Sequence, residues 1–196
     1  MIDDIRAGLI ATSKLHAEMA ETLAEPCAQA AEMLIASLQA GGAVYICGNG
    51  GSAAEAQHAA GELVGRFLRE RRALRCVALT TDTSVLTAIA NDYEYGRIFS
   101  RQVEALVREG DVLWALSTSG TSPNILAAAD AARQRGAKVL GMTGRGGAQL
   151  AELCDVCLCV PADSSPGIQE GHLALIHIIC RLVEEAMVAQ GEKGRR

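Results

Sequence analysis

His58 and Glu62 lie four residues apart, just downstream of the loop Cys47-Gly48-Asn49-Gly50-Gly51-Ser52. The apolar run 43–47 before the loop reads as a buried strand, and the stretch from Ala53 onward reads as a helix. On that helix an i, i+4 spacing puts an imidazole and a carboxylate on one face, where they can act as an acid/base pair. Gly50 and Gly51 let the backbone turn tightly and approach a ligand. With Asn49 and Ser52 at a helix N-terminus, they form a polar cradle with free N–H groups. One short stretch thus supplies both a binding loop and proton-transfer groups.

A second polar loop, Ser117-Thr118-Ser119-Gly120-Thr121-Ser122, follows the apolar run Val112–Leu116 and precedes Pro123. Its five hydroxyls and its backbone N–H groups ahead of a helix suit an anion such as phosphate, without a lysine. A third polar set, Gln169, Glu170, His172 and His177, opens the C-terminal helix. Gln169 and His177 are separated by about 12 Å of helical rise, so one small ligand touches both only if it lies along the helix or the site is shared between subunits.

Other chemistries fit less well. The chain has no G-x-x-x-x-G-K-[ST] phosphate loop. Gly48-x-Gly50-x-x-Ala53 matches the loose dinucleotide pattern, but that pattern also needs an acid about 20 residues on at the end of the second strand, and the nearest strand-two acid, Asp82, lies well beyond that spacing. Lys14, Lys138 and Lys193 are the only lysines and none is near either loop, which disfavours a Schiff base. Cys47, Cys76 and Cys180 read as small buried hydrophobes. Cys154, Cys157 and Cys159 form a C-x2-C-x-C cluster that lacks the fourth ligand and second knuckle of a zinc site.

The elements that position these groups follow from patterning. The 196 residues suit one domain, 1–196, and 49% are apolar. The net charge of −5 offers no footprint for nucleic acid. No apolar run reaches the roughly 18 residues of a membrane span. Asp3, Asp4, Glu18 and Glu21 argue against a signal peptide at the start, so a cytoplasmic protein is expected. Residues 2–23 and 26–40 read as a pair of helices broken by Pro26. Strands are expected at 43–47, 75–80, 112–116, 137–142 and 156–160. Helices are expected at 53–68, 83–90, 95–107, 123–135 and 168–189, with a frayed tail at 191–196. Continuous apolar strands separated by helices predict a three-layer α/β/α sandwich on a five-stranded parallel sheet of flavodoxin-like type.

In order along the chain stand G-N-G-G-S, then H-x-x-x-E at His58/Glu62, then Asn91-Asp92. S-T-S-G-x-S at 117–122, Ile168-Gln169-Glu170 and His177 follow. This ordered set resembles the sedoheptulose 7-phosphate isomerase (phosphoheptose isomerase) family of the sugar isomerase (SIS) domain superfamily, over nearly the whole chain. The resemblance implies an aldose–ketose isomerase that makes D-glycero-D-manno-heptose 7-phosphate, the first step towards ADP-heptose for lipopolysaccharide core or other surface glycans. It implies a homotetramer with active sites at subunit interfaces and with the N-terminal helices packed in the assembly. It implies Glu62 as carbon base and His177 as acid/base partner. Ser117, Thr118, Ser119 and Ser122 would form a phosphate cradle, and Asn49, Ser52 and Asp92 would hold sugar hydroxyls. Arg66 would reach a neighbouring subunit's phosphate. Some members bind zinc through positions matching His58, Glu62, Gln169 and His177; others are metal-free.

A close paralogue within the same fold binds the replication initiator DnaA instead of catalysing, and the stretch 86–92 is very like it. That paralogue lacks residues equivalent to Glu62 and His177, so their presence here favours the enzyme. A sugar-phosphate-sensing module would need a DNA-binding domain that does not fit this length. The chain departs from the family pattern at Pro166-Gly167 and at Gly61.

Overall fold

The computed structural model describes residues 1–193. In chain order the elements are α1 (Ile2–Gln39), β1 (Val44–Gly48), α2 (Gly51–Val64), β2 (Cys76–Ala78) and α3 (Thr83–Asp92). A 3₁₀ turn (Tyr95–Arg97), α4 (Ser100–Leu106), β3 (Val112–Leu116), α5 (Pro123–Gln134) and β4 (Lys138–Thr143) follow. The chain continues through α6 (Ala148–Leu153), β5 (Val156–Cys159) and α7 (Ser165–Lys193). All strand pairs are parallel and the sheet order is β2-β1-β3-β4-β5. This is the expected five-stranded α/β/α sandwich.

Alternation along the strands divides the interior into two cores. Val44, Ile46, Val112, Trp114 and Leu116 face the side covered by α1, α2 and α7. Tyr45, Cys47, Leu113 and Ala115 face the side covered by α4, α5 and α6. The chain leaves β1 toward β2 and returns to β3 on the other flank. The loops after β1 and β3 therefore meet at the switch point, where parallel sheets bind ligands.

Several elements differ from the sequence reading. Residues 2–39 form one helix, not a pair, with Pro26 inside it. Proline removes one backbone donor and crowds the preceding turn. The apolar stripe Met19, Leu23, Cys27, Ala30, Ala31, Leu34 and Leu38 nevertheless stays in phase across Pro26 and is buried, which outweighs the local penalty. The α2 helix stops at Val64 rather than 68, and an irregular arginine-rich segment leads to a β2 of three residues. The α7 helix begins at Ser165, so Pro166 and Gly167 lie in its first turn, where the missing proline N–H is tolerated. The short α6 was not anticipated. Of the tail expected to fray, 191–193 belong to α7, and 194–196 lie outside the described residues.

Cys157 and Cys159 share one face of β5, with their Sγ atoms 3.8 Å apart, and Cys154 caps α6. The neighbouring Cys154 thiol and burial push Cys157 up to about 12. A thiol so raised is protonated at neutral pH and is a poor nucleophile.

Candidate active site

The two strand-end loops are tied together. Asn49, after β1, and Asn124, in the first turn of α5, exchange side-chain amide hydrogen bonds of 2.9 and 2.8 Å. The Tyr95 hydroxyl donates to Asn49 Oδ1 at 3.1 Å. Gly50 stands at the N-cap of α2 with φ +54, a conformation that favours glycine. The next residue, Gly51, lies against the Gln169 amide so closely that a Cβ there would collide with it. Ser52 is buried.

In the second loop the hydroxyls turn toward one another. Ser117 Oγ donates to Ser122 Oγ at 3.2 Å and lies 3.5 Å from Ser119 Oγ, and Ser119 Oγ accepts from Thr121 N at 3.2 Å. Ser122 is the N-cap residue of α5, but its hydroxyl makes no cap bond. The hydroxyl bonds within the loop instead of closing the helix end.

The decisive geometry lies between α2 and α7, which run side by side in the same direction. Their polar contacts ascend in register. Gln169 meets Gly51, and His172 Nδ1 lies 3.6 Å from Glu55 Oε2. Further along, His177 Nε2 lies 2.7 Å from His58 Nε2, and His58 Nε2 lies 3.6 Å from Glu62 Oε1. The seam runs over about 16 Å, from Gly51 to Glu62, as an eleven-residue helical rise requires. A ligand lying along the helices can therefore touch both Gln169 and His177 within one chain.

At the far end of the seam the single ligand atoms of His58, Glu62 and His177 all lie within 4.8 Å of one another. The His58 side chain is 40% exposed and that of Glu62 21%, so the cluster opens to solvent while its base is anchored. With Nε2 facing Nε2 at hydrogen-bond distance, one ring donates and the other accepts, or both turn lone pairs to a shared cation. Two imidazoles and a carboxylate are the donor set that zinc takes. Among the described residues this is the one such grouping of three or more His, Cys, Asp or Glu.

Comparison with known proteins decides the family. A family profile described as the SIS domain matches residues 10–144. The chain is 52% identical over 187 residues to a phosphoheptose isomerase of Rhodospirillum rubrum, covering 95% of this chain and 99% of that one. It superposes on a phosphoheptose isomerase from Neisseria gonorrhoeae with a TM-score of 0.88 at 43% identity, covering 93% and 98% of the two chains. For a phosphoheptose isomerase from Francisella tularensis the TM-score is 0.90 at 37% identity, with coverage of 94% and 98%. The chain belongs to the phosphoheptose isomerase family of SIS-domain proteins.

As a phosphoheptose isomerase the chain is an enzyme acting on a sugar phosphate. The similarity to isomerases over the whole chain lends nothing to the DnaA-binding alternative. Two further residues named from the sequence are exposed. Asp92 ends α3, exposed, its Oδ1 accepting from Asn91. Arg66 is exposed on the segment after α2.

Asn124, Tyr95 and Glu55 are not singled out by the sequence, and His172 is named there only as one of the polar set on the C-terminal helix. Asn124 and Tyr95 hold Asn49, and no local spacing announces them. The buried ring of His172 lies with Nε2 3.2 Å from Thr143 O at the end of β4, which fixes its orientation between β4 and Glu55. Glu55 precedes His58 by three residues and Glu62 by seven. That is the same-face spacing, and it was the available signal.

Proposed function

We propose that this phosphoheptose isomerase interconverts sedoheptulose 7-phosphate and D-glycero-D-manno-heptose 7-phosphate through an enediol, in the cytoplasm, as the first step towards ADP-heptose. The convergence of His58, Glu62 and His177 at one end of the seam that Gly51 and Gln169 open carries this reading. The reaction moves a proton between C1 and C2. Glu62 takes it as the carbon base, and His177 gives and receives protons at the oxygens. Ser117, Thr118, Ser119 and Ser122 bind the phosphate. Asn49, Gly50, Gly51, Ser52, Asp92 and Gln169 orient the sugar along α2 and α7.

The donor set fits zinc, which His58, Glu62 and His177 would hold; Gln169 lies at the opposite end of the seam, about two turns of α7 before His177, so a Gln169 ligand would come from a neighbouring subunit. When bound, the ion would polarise the substrate carbonyl. A carboxylate has two oxygens, so ligation through one leaves Glu62 the other for the proton.

Self-association as a homotetramer with shared sites is part of the proposal. Ile2, Ile5, Leu9 and Ile10 on α1 are 69, 58, 69 and 48% exposed, a large apolar load for two and a half turns of helix. An apolar groove of about 440 Å³ between α1 and α7, lined by Met19, Leu23, Leu175 and Ile178 among others, adds to it.

The test is incubation with sedoheptulose 7-phosphate followed by NMR, with Glu62→Gln and His177→Gln alongside, before and after chelation and zinc readdition. Product from the wild type that both substitutions abolish supports the assignment. No product with or without zinc overturns the heptose substrate.

A further inference from the structure

The segment that leaves α2, residues 65–75, has no regular secondary structure and carries five arginines. Such a surface stretch would ordinarily be mobile. Here it is clamped from beneath by one carboxylate. Glu184 accepts from the backbone N–H groups of Phe67, Leu68 and Arg69 at 2.7, 2.7 and 2.8 Å. Arg71 Nε lies 3.6 Å from Glu184 Oε1, and both side chains are 2% exposed.

The Arg71 guanidinium is spent on carbonyls. It donates to Glu62 O at 2.7 Å, to Gly65 O at 2.8 Å and to Arg72 O at 3.1 Å. Both neighbours of Arg66 are thereby fixed, Gly65 through its carbonyl and Phe67 through its N–H, while the Arg66 side chain is left exposed. The Phe67 ring in turn meets His177, centroids 5.8 Å apart. Glu184 follows His177 by two turns on α7, so one rigid helix carries both the catalytic imidazole and the clamp.

A buried ion pair is a weak way to stabilise a fold, since an apolar pair of similar volume does as well. What this pair supplies that an apolar pair cannot is a fixed backbone for an exposed arginine. We propose that Glu184 and Arg71 are positioning residues for the isomerase reaction, holding segment 65–71 so that Arg66 is presented to the phosphate of a substrate bound at a neighbouring copy. This inference rests on the sugar-phosphate isomerase reading and on the role the family resemblance implies for Arg66, reaching a neighbouring subunit's phosphate.

The test is a double-mutant cycle of Arg66→Ala and Glu184→Gln. KM and kcat are measured on sedoheptulose 7-phosphate. The Kd for inorganic phosphate is measured by calorimetry, which needs no turnover. Each single variant is expected to raise KM and the phosphate Kd about tenfold or more, with a smaller change in kcat. The double variant should be no worse than the weaker single one. Arg71→Lys, which keeps the charge but loses the carbonyl fork, should show the same pattern if Glu184→Gln folds poorly.

A Glu184→Gln protein that melts lower but keeps wild-type KM and phosphate Kd would overturn the proposal. So would a double variant whose effects multiply, or an Arg66→Ala protein unchanged in both assays. Coupling in phosphate binding without any turnover of the heptose would instead sink the substrate reading and leave the clamp standing.

Discussion

Replacing Gly51 with alanine should separate activity from stability. Gly51 is the first residue of α2, and its φ is not in the left-handed region, so alanine fits the backbone there. Alanine is favoured over glycine in a helix by up to about 1 kcal/mol. The added Cβ would nonetheless collide with the Gln169 amide, standing 2.8 Å from Cδ and 2.9 Å from Oε1. Ordinary contact needs about 3.5–4.0 Å, so the amide must swing outward by about 1 Å. It is the free end of a flexible side chain, and it can move without disturbing the core. Net stability should stay within about 1 kcal/mol, a Tm change of about 4 °C or less for a chain of this size.

If the Gln169 amide binds substrate with a neutral hydrogen bond, its loss should raise KM about three- to tenfold. Gly50→Ala is the converse control. Gly50 has φ +54 with nothing within 4 Å of a Cβ, so its penalty is backbone strain alone. That strain is about 1–3 kcal/mol. Thermal melts and steady-state kinetics on both variants decide the matter. A Gly51→Ala protein with wild-type KM and kcat would refute a role for Gln169, and one that melts below Gly50→Ala would refute the steric argument.

Glu62→Gln should lower kcat by about 10²–10⁴ with little change in melting, since its side chain is only partly buried; turnover and melting curves on one preparation check this. Zinc at about 100 times its Kd should add about 2.7 kcal/mol to the wild type, and His58→Ala should abolish that shift in a thermal melt. Burial would raise the Glu184 carboxyl, but three backbone N–H bonds and Arg71 overcome it and hold the group below its ordinary value of 4.5. The group therefore contributes stability that is complete above its unfolded value and lost as pH falls through the lower folded one, and Glu184→Gln should flatten this acid limb in melts across pH. Leu34→Ala removes a fully buried side chain from the core under α1 and should cost about 2–5 kcal/mol by denaturant unfolding.

Much of the fold was written locally. The central strands β1 and β3 are apolar runs buried on both faces, and Ser122-Pro123 starts α5 where a helix-start signal says it should. The strand-end loops were legible for the same reason, since glycines and hydroxyls between a strand and a helix have few other uses. The His58/Glu62 pairing came from helical spacing alone. What the sequence could not fix is whatever depends on the packing of distant elements. Pro26 is a local stop signal, overruled because the stripe from Met19 to Leu38 gains more by continuing across β5 and α7 than the proline loses. His177 reaches His58 from 119 residues away, and Glu184 reaches segment 67–69 from 115 to 117 residues away. Spacing determines which side chains share a helix face, but only the register of α7 against α2 decides what those faces meet.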